Sequence, residues 1–376
     1  SWTDLAVSFG LLSVFTVLTL GMIPMKLSAR IFVYGIFTVS TALLIIINFS
    51  PAFILTLGAS VLLFLYFNYI EKHFFSTAPT LPQASAHFLL KPTFLPVVLG
   101  VISLLFLINP TISETRGTLG NVVSNTFKID NTSVRPSFSA TLSISKAVLS
   151  QVAFLGSGPN TFSHDWLIYK PANVNATPFW AVAFPFGIGF IPTQVASTGI
   201  AGTVLWLTFF TFFVLLVVKA LDRIPESRAE RFILVSVFLL AVYLWISSFL
   251  YTPSEVVLML AFIFSGLVVA ASCGAELIPS RTIGLKESPM ARFISIAFLS
   301  VIALGVLSFG WAGFEKTASA FYFKRAIDLS NTAGVPLQEI EAELDKAVKF
   351  APPDTHYVAI SRINFVKAQT AAGAST

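Results

Sequence analysis

About eight stretches of this chain are so long, so apolar and so free of charge that lipid or a packed helical interior is the environment they suit. They cover residues 5–25, 31–49, 52–70, 94–112, 199–218, 232–250, 256–273 and 293–314. A helix needs about 20 apolar residues, at ~1.5 Å each, to cross a hydrocarbon core of ~30 Å. Only helices and closed barrels satisfy their own backbone in lipid. These runs are continuous and lack the period-two alternation of barrel strands, so the sequence predicts helices. Composition agrees: 11% of the residues are charged and 55% hydrophobic, whereas soluble domains carry roughly 25% charge. The expected fold class is all-α, a polytopic membrane helix bundle.

The connections between the runs set the expected orientation. Lys26 and Arg30 follow the first run, and Lys72 and Lys91 follow the third. Lys219, Arg223, Arg228 and Arg231 follow the fifth, and Arg281, Lys286 and Arg292 follow the seventh. The alternate connections at 48–51 and 251–255 hold no Lys or Arg. Basic residues mark the cytoplasmic side of a membrane protein. Residues 110–198 and the tail therefore fall on the outer face in this reading. The sequence begins Ser-Trp-Thr-Asp, and its first run is too long and too poorly flanked for a signal peptide. It is expected to be a piece of a longer protein, incomplete at its N-terminus.

Two domains are expected: a transmembrane domain over 1–314, with its large loop at 110–198, and a helical segment over 315–376. Within the loop, 137–155 is semi-apolar. Phe138, Leu142, Ile144, Ala147, Val148 and Val152 fall roughly on one helical face, opposite Ser139, Ser143, Lys146 and Gln151. That pattern predicts a helix lying in the membrane interface. Trp166, Tyr169 and Trp180 are amphipathic rings suited to headgroup depth. From Glu315 onward charges return and the apolar residues become periodic, which predicts three short amphipathic helices. Their Ala-rich spacing and helix–helix–Pro rhythm resemble a tetratricopeptide unit, which buries its face by stacking on further repeats. A capping hairpin packed on the membrane domain is the other reading of the tail.

Chemistry-bearing residues gather in the loop. The planar, permanently charged fork of Arg135 matches phosphate oxygens bidentately, and Arg116 and Lys170 are candidates to join the same clamp. A snorkelling interfacial arginine would carry the same signature. The run Gly156-Ser-Gly-Pro-Asn160 offers backbone N–H groups of the kind that bind anions, with Gly156, Gly158 and Asn160 as candidates; a simple turn is its plainer reading. His164 and Asp165 form the one pair in which a base that titrates near neutral pH stands beside a carboxylate able to orient it. An exposed, solvated histidine is the alternative. Glu255, after Pro253 and Ser254, reads as a helix N-terminus. Asn131-Thr-Ser and Asn175-Ala-Thr match the glycosylation acceptor pattern, which is common by chance. One cysteine, Cys273, excludes an intramolecular disulfide and a multi-cysteine zinc site, and four scattered histidines argue against a histidine metal cluster. No metal or other cofactor is expected. The basic residues form no aromatic-interleaved groove, so no nucleic-acid partner is expected either.

Residues 135–202 place an Arg before an amphipathic helix, then L-G-S-G-P-N-T-F, a Trp/Tyr-rich loop, and a T-G-I-A-G segment entering the next span. This order resembles the O-antigen ligase and polymerase superfamily of bacterial envelope proteins, more narrowly its members that end in tetratricopeptide repeats. The resemblance implies a metal-independent glycosyltransferase in the cytoplasmic (inner) membrane. Such an enzyme passes a glycan from a polyprenyl diphosphate carrier to a glycan, lipid or protein acceptor on the outer side. It also implies that Arg135 holds the diphosphate. The family's loop ends in a His-Asn pair and a later Glu; the matching positions here are Ile188, Gly189 and Ser197, which leaves His164 and Asp165 as the candidate catalytic pair. Ligation and polymerisation both fit. A lipid-linked glycan flippase and a non-catalytic envelope scaffold, recruiting protein partners through the repeat, are the other readings. The near absence of charge within the spans speaks against translocation.

Overall fold

The computed structural model describes residues 1–70, 92–113, 117–129, 134–222, 225, 227–275, 278, 289–332, 335–350, 359–361 and 364. The described chain is helical apart from turns and one small two-stranded sheet. It divides into two units, Ser1–Ser280 and Arg281–Thr376.

In the first unit, α1 (Trp2–Met22), α2 (Leu27–Ile47) and α3 (Ser50–Leu65, continued by a π-helical turn Tyr66–Ile70) are followed by α4 (Phe94–Ile108). The strands β1 (Thr111–Ser113) and β2 (Gly117–Thr118) pair antiparallel and lead into α5 (Leu119–Phe127). Then come α6 (Phe138–Gln151), α7 (Phe162–Tyr169), a 3-10 turn Ala172–Ala176, α8 (Phe190–Asp222), α9 (Arg228–Leu250) and α10 (Glu255–Gly274). The helix α1 is central, packing on α2, α3 and α9, while α3 packs on α4 and α9 on α10. Sparse hydroxyl pairs stitch these contacts: Ser13 to Ser40 at 2.8 Å between α1 and α2, and Thr56 to Ser103 at 2.8 Å between α3 and α4. In an apolar setting, packing and such interhelical bonds hold helices together, because lipid supplies no hydrophobic drive between them. Trp206, Phe209, Phe210, Trp245 and Phe262 interlock α8, α9 and α10.

Seven described helices are long and apolar enough to cross a membrane. The eighth expected span is shorter than its apolar run: α4 has 15 residues, because Asn109 turns into the left-handed region (φ 47°) and Pro110 follows. A cap of this kind ends a helix. The fifth span begins earlier than its apolar run, at Phe190, and is broken at Gly199 (φ 64°, ψ −159°).

The second unit differs from expectation at its boundary. The last apolar run and the first tail helix are one helix, α11 (Pro289–Ser330), with no break where charge returns at Glu315. It pairs antiparallel with α12 (Leu337–Phe350): Tyr322 stacks on Phe350 at 5.7 Å, and Ser319 Oγ donates to Ala347 O at 2.8 Å. The buried Glu343 accepts from Lys346 at 2.7 Å, with Arg325 at 3.8 Å. The expected third tail helix lies almost wholly outside the described residues.

Candidate functional site

The end of the first unit opposite Lys26 and Arg30 is polar. The start of α1, the α2–α3 turn, the α9–α10 turn and the chain around 135 and 188 meet there. Asp4, in the first turn of α1, accepts hydrogen bonds from Tyr251 Oη and Ser254 N, both at 3.1 Å. Burial, then the neighbouring Asp4 carboxylate, raise the Tyr251 pKa well above the ordinary phenol value, so Tyr251 acts as a neutral donor. Phe49 packs edge-on against Tyr251, with ring centroids 5.5 Å apart, and Arg135 stacks over Phe49 at 5.5 Å.

Arg135 is half-buried. Its Nη1 donates to Leu250 O at 2.8 Å and to Ile188 O at 3.4 Å. Leu250 is the last residue of α9, so the guanidinium satisfies a carbonyl that the helix end leaves open. Burial pulls the Arg135 pKa below its ordinary value, with Tyr251 opposing the shift. A guanidinium has five N–H donors. Among the described residues only Nη1 is engaged, so Nε and Nη2 remain for a ligand. Arg135 also lines a cavity of about 450 Å³ together with Ser139, Ser143, Asn173, Phe179 and Phe184.

The helix α6 forms one wall of that cavity. Ser137 caps it, accepting from Ala140 N at 3.2 Å. Its apolar face is divided between the protein and the surface. Ala140, Thr141, Ile144, Ser145 and Val148 face inward, while Phe138 and Leu142 are 60% and 58% exposed. Small inward residues let α6 approach α8 closely, and the large outward ones border an apolar groove of about 330 Å³ with Ile191, Trp206 and Phe249. Trp166, expected at headgroup depth, is instead a core residue of the loop layer. It is 2% exposed, donates Nε1–H to Val182 O at 2.9 Å, and packs edge-on against Phe184. Trp180 is exposed, as an interfacial ring would be.

The glycine-rich turn is committed to the protein. Gly156 N donates to Val152 O, Ser157 N to Ala196 O and Gly158 N to Ser197 O, at 3.0–3.2 Å. In return Ile200 N and Ala201 N donate to Ala153 O and Phe154 O, both at 3.0 Å. The turn thus satisfies both half-helix ends of α8 where it breaks at Gly199. The N–H groups of 156–158 are spent on carbonyls, which accounts for the turn without a bound anion. Asn160 adopts φ 60° at the turn's far side.

His164 and Asp165 do not act as a pair. His164 is exposed, while Asp165 is 4% exposed and accepts from Ser157 Oγ at 2.5 Å. The carboxylate therefore anchors the 156–161 turn beneath the first turn of α7. Replacing it should be costly and replacing its neighbour should not. Asp165→Ala is expected to lower stability by about 1–3 kcal/mol, because it removes the charge-assisted hydrogen bond from the half-buried Ser157 hydroxyl that ties the turn down, and His164→Ala by less than about 0.5 kcal/mol. Thermal melting of the purified protein checks both. Equal losses would mean that His164 has an unseen packing role.

Of the residues expected to hold a diphosphate, Arg135 alone lines the cavity among the described residues. Lys170 is not among its lining residues and its Nζ donates to Trp180 O, and Arg116 lies outside the described residues. Asp130 and Asn131-Thr-Ser are likewise outside them. Glu255 stands exposed in the first turn of α10, as a helix N-terminus predicts. Sequence reading missed Asp4 and Tyr251. An acid in the first turn of an apolar span was the available signal, but its partner is 247 residues away. Ile188 and Gly189, where the resemblance expects His and Asn, adjoin Arg135 through the Ile188 carbonyl. No side chain fits at Gly189, since a Cβ there would sit 2.8 Å from Phe249 C and nearer still to its oxygen.

Compared with known protein families, with curated proteins and with solved structures, the chain gives no match.

Proposed function

We propose that this chain is the membrane-embedded part of a glycan transferase of the O-antigen ligase and polymerase type. It would act on the outer face of the bacterial inner membrane, with a polyprenyl diphosphate-linked glycan as donor. The observation that carries this reading is Arg135: a half-buried cation at the polar end of an apolar bundle, beside a 450 Å³ cavity, with Nε and Nη2 uncommitted among the described residues. A cation held in a partly desolvated place gains more from an anion than one in water does. The chemistry needs little else from the protein. An acceptor hydroxyl forms a bond to the anomeric carbon, the bond from that carbon to the diphosphate oxygen breaks, and the hydroxyl proton leaves to solvent. Arg135 stabilises the charge on the departing diphosphate, the term that usually counts most in such reactions. The α11–α12 hairpin is read as the first helices of a tetratricopeptide-like array that recruits a partner.

The test is a reconstitution. Purified protein in vesicles receives a polyprenyl diphosphate carrying a radiolabelled glycan, with a membrane extract as the acceptor source. Label leaving the carrier for another molecule, with free polyprenyl diphosphate formed in equal amount, is the expected result. Label that stays on the carrier but changes leaflet would replace the reading with a flippase. Label that neither moves nor transfers would replace it with a scaffold.

A further inference from the structure

The 450 Å³ cavity falls in the size range of small-molecule sites, and its lining is unusual for a site meant only for a diphosphate. Arg135 is its single charged side chain among the described residues, and no carboxylate lines it. Beside its aliphatic surface, Phe179 and Phe184 supply aromatic surface, while Ser139, Ser143 and Asn173 supply neutral polar groups. Among the described residues neither Ser143 Oγ nor the Asn173 amide has a hydrogen-bond partner. Ser139 and Ser143 are four positions apart on α6, so they share a face about one turn, ~5.4 Å, apart. That turn is about the width of a pyranose ring. The hydroxyls run along α6 away from Arg135, which lies ahead of its first turn.

From this arrangement we propose that the cavity is a saccharide subsite. A neutral sugar ring packs its C–H face on Phe179 and Phe184, and its hydroxyl or acetamido groups bond Ser143 and Asn173. Arg135 holds the ring's phosphate substituent. The proposal rests on the donor reading above and extends it: the protein recognises the first sugar of the carrier as well as its diphosphate. A neutral hydroxylated ring suits the lining because it offers apolar C–H faces and many weak donors and acceptors in one small body. A second cation would meet Arg135 with nothing to offset it.

The experiment measures binding of four carriers to the purified protein: bare polyprenyl diphosphate, and the same lipid bearing glucose, galactose or N-acetylglucosamine. Two variants are compared with the wild type. Phe179→Ala and Asn173→Ala both change exposed side chains, so melting should be unaltered. The wild type is expected to bind at least one sugar-bearing carrier roughly tenfold more tightly than the bare one, and each variant to cut that gain roughly three- to tenfold. Affinity for the bare carrier should stay unchanged in both variants. Bare carrier that binds, with no gain from any sugar, overturns the subsite and leaves the donor reading standing. Variants that weaken bare and sugar-bearing carriers alike also overturn the subsite. A wild type that binds none of the four overturns the donor reading and the subsite with it.

Discussion

Arg135→Ala is expected to weaken binding of polyprenyl diphosphate by about ten- to a hundredfold, the cost of removing a charged phosphate contact of roughly 1.5–3 kcal/mol. The same change uncaps Leu250 O and removes the cation from the face of Phe49, so a stability loss of about 1–2 kcal/mol should accompany it. Arg135→Lys separates the two effects. An ammonium keeps the charge but lacks the fork, so it cannot hold Leu250 O with one nitrogen and a phosphate with the others. Lysine should therefore restore most of the stability and only part of the affinity. Isothermal titration beside thermal melting on all three proteins reads both. An alanine variant that is folded and binds as the wild type does would make Arg135 a helix cap and nothing more.

The second large effect belongs to the broken helix. Gly156 sits at φ 68° and Gly199 at φ 64°, and the two backbones touch. A Cβ at Gly156 would lie 2.6 Å from Gly199 N and closer still to Ala196 O. The obstruction is backbone held by four cross-bonds, so no side chain can swing aside. Gly156→Ala should cost about 3 kcal/mol or more, combining a left-handed residue with overpacking. Gly266→Ala in α10 is the matched control. Nothing lies within 4 Å of a Cβ there, so the substitution should be neutral or stabilise by up to about 1 kcal/mol. Because the turn also fixes α6 against α8, Gly156→Ala should weaken carrier binding as well, through the cavity wall. A melting temperature equal to that of the control would show that the turn can open without cost.

The apolar helices were legible because lipid demands that the backbone satisfy itself, and a continuous apolar run meets that demand as a helix. Where the runs misled, a cap, present or absent, decided. Asn109 and Pro110 end α4 short of the run's expected end, and nothing between Phe314 and Lys316 caps α11, so the helix continues through a change in composition. Arg135 could be picked out because a permanent cation before an amphipathic helix is conspicuous. Its partners could not, since Leu250 and Ile188 meet it only through tertiary packing. The 156–158 turn shows the limit most clearly. Glycine spacing says that N–H groups are exposed to something, and only the fold says that for Ser157 and Gly158 the something is the pair of carbonyls of Ala196 and Ser197 at the break in α8. The helix α6 shows a related limit: its pattern marked an apolar face, but only the fold says that Ala140, Thr141 and Ser145 are on the side packed against the protein.

The short fourth helix has a consequence for the membrane itself. Fifteen residues rise only about 22 Å, well under a typical hydrocarbon thickness of ~30 Å. Val97, Val101, Leu104, Leu105 and Ile108 on its exposed side leave no polar collar to make up the difference. For α4 to cross it, the bilayer would have to thin along that flank, at a cost of fractions of a kcal/mol for each ångström of mismatch. The protein would thus carry its own dimple, be drawn to thin membranes, and lose stability as lipid tails lengthen.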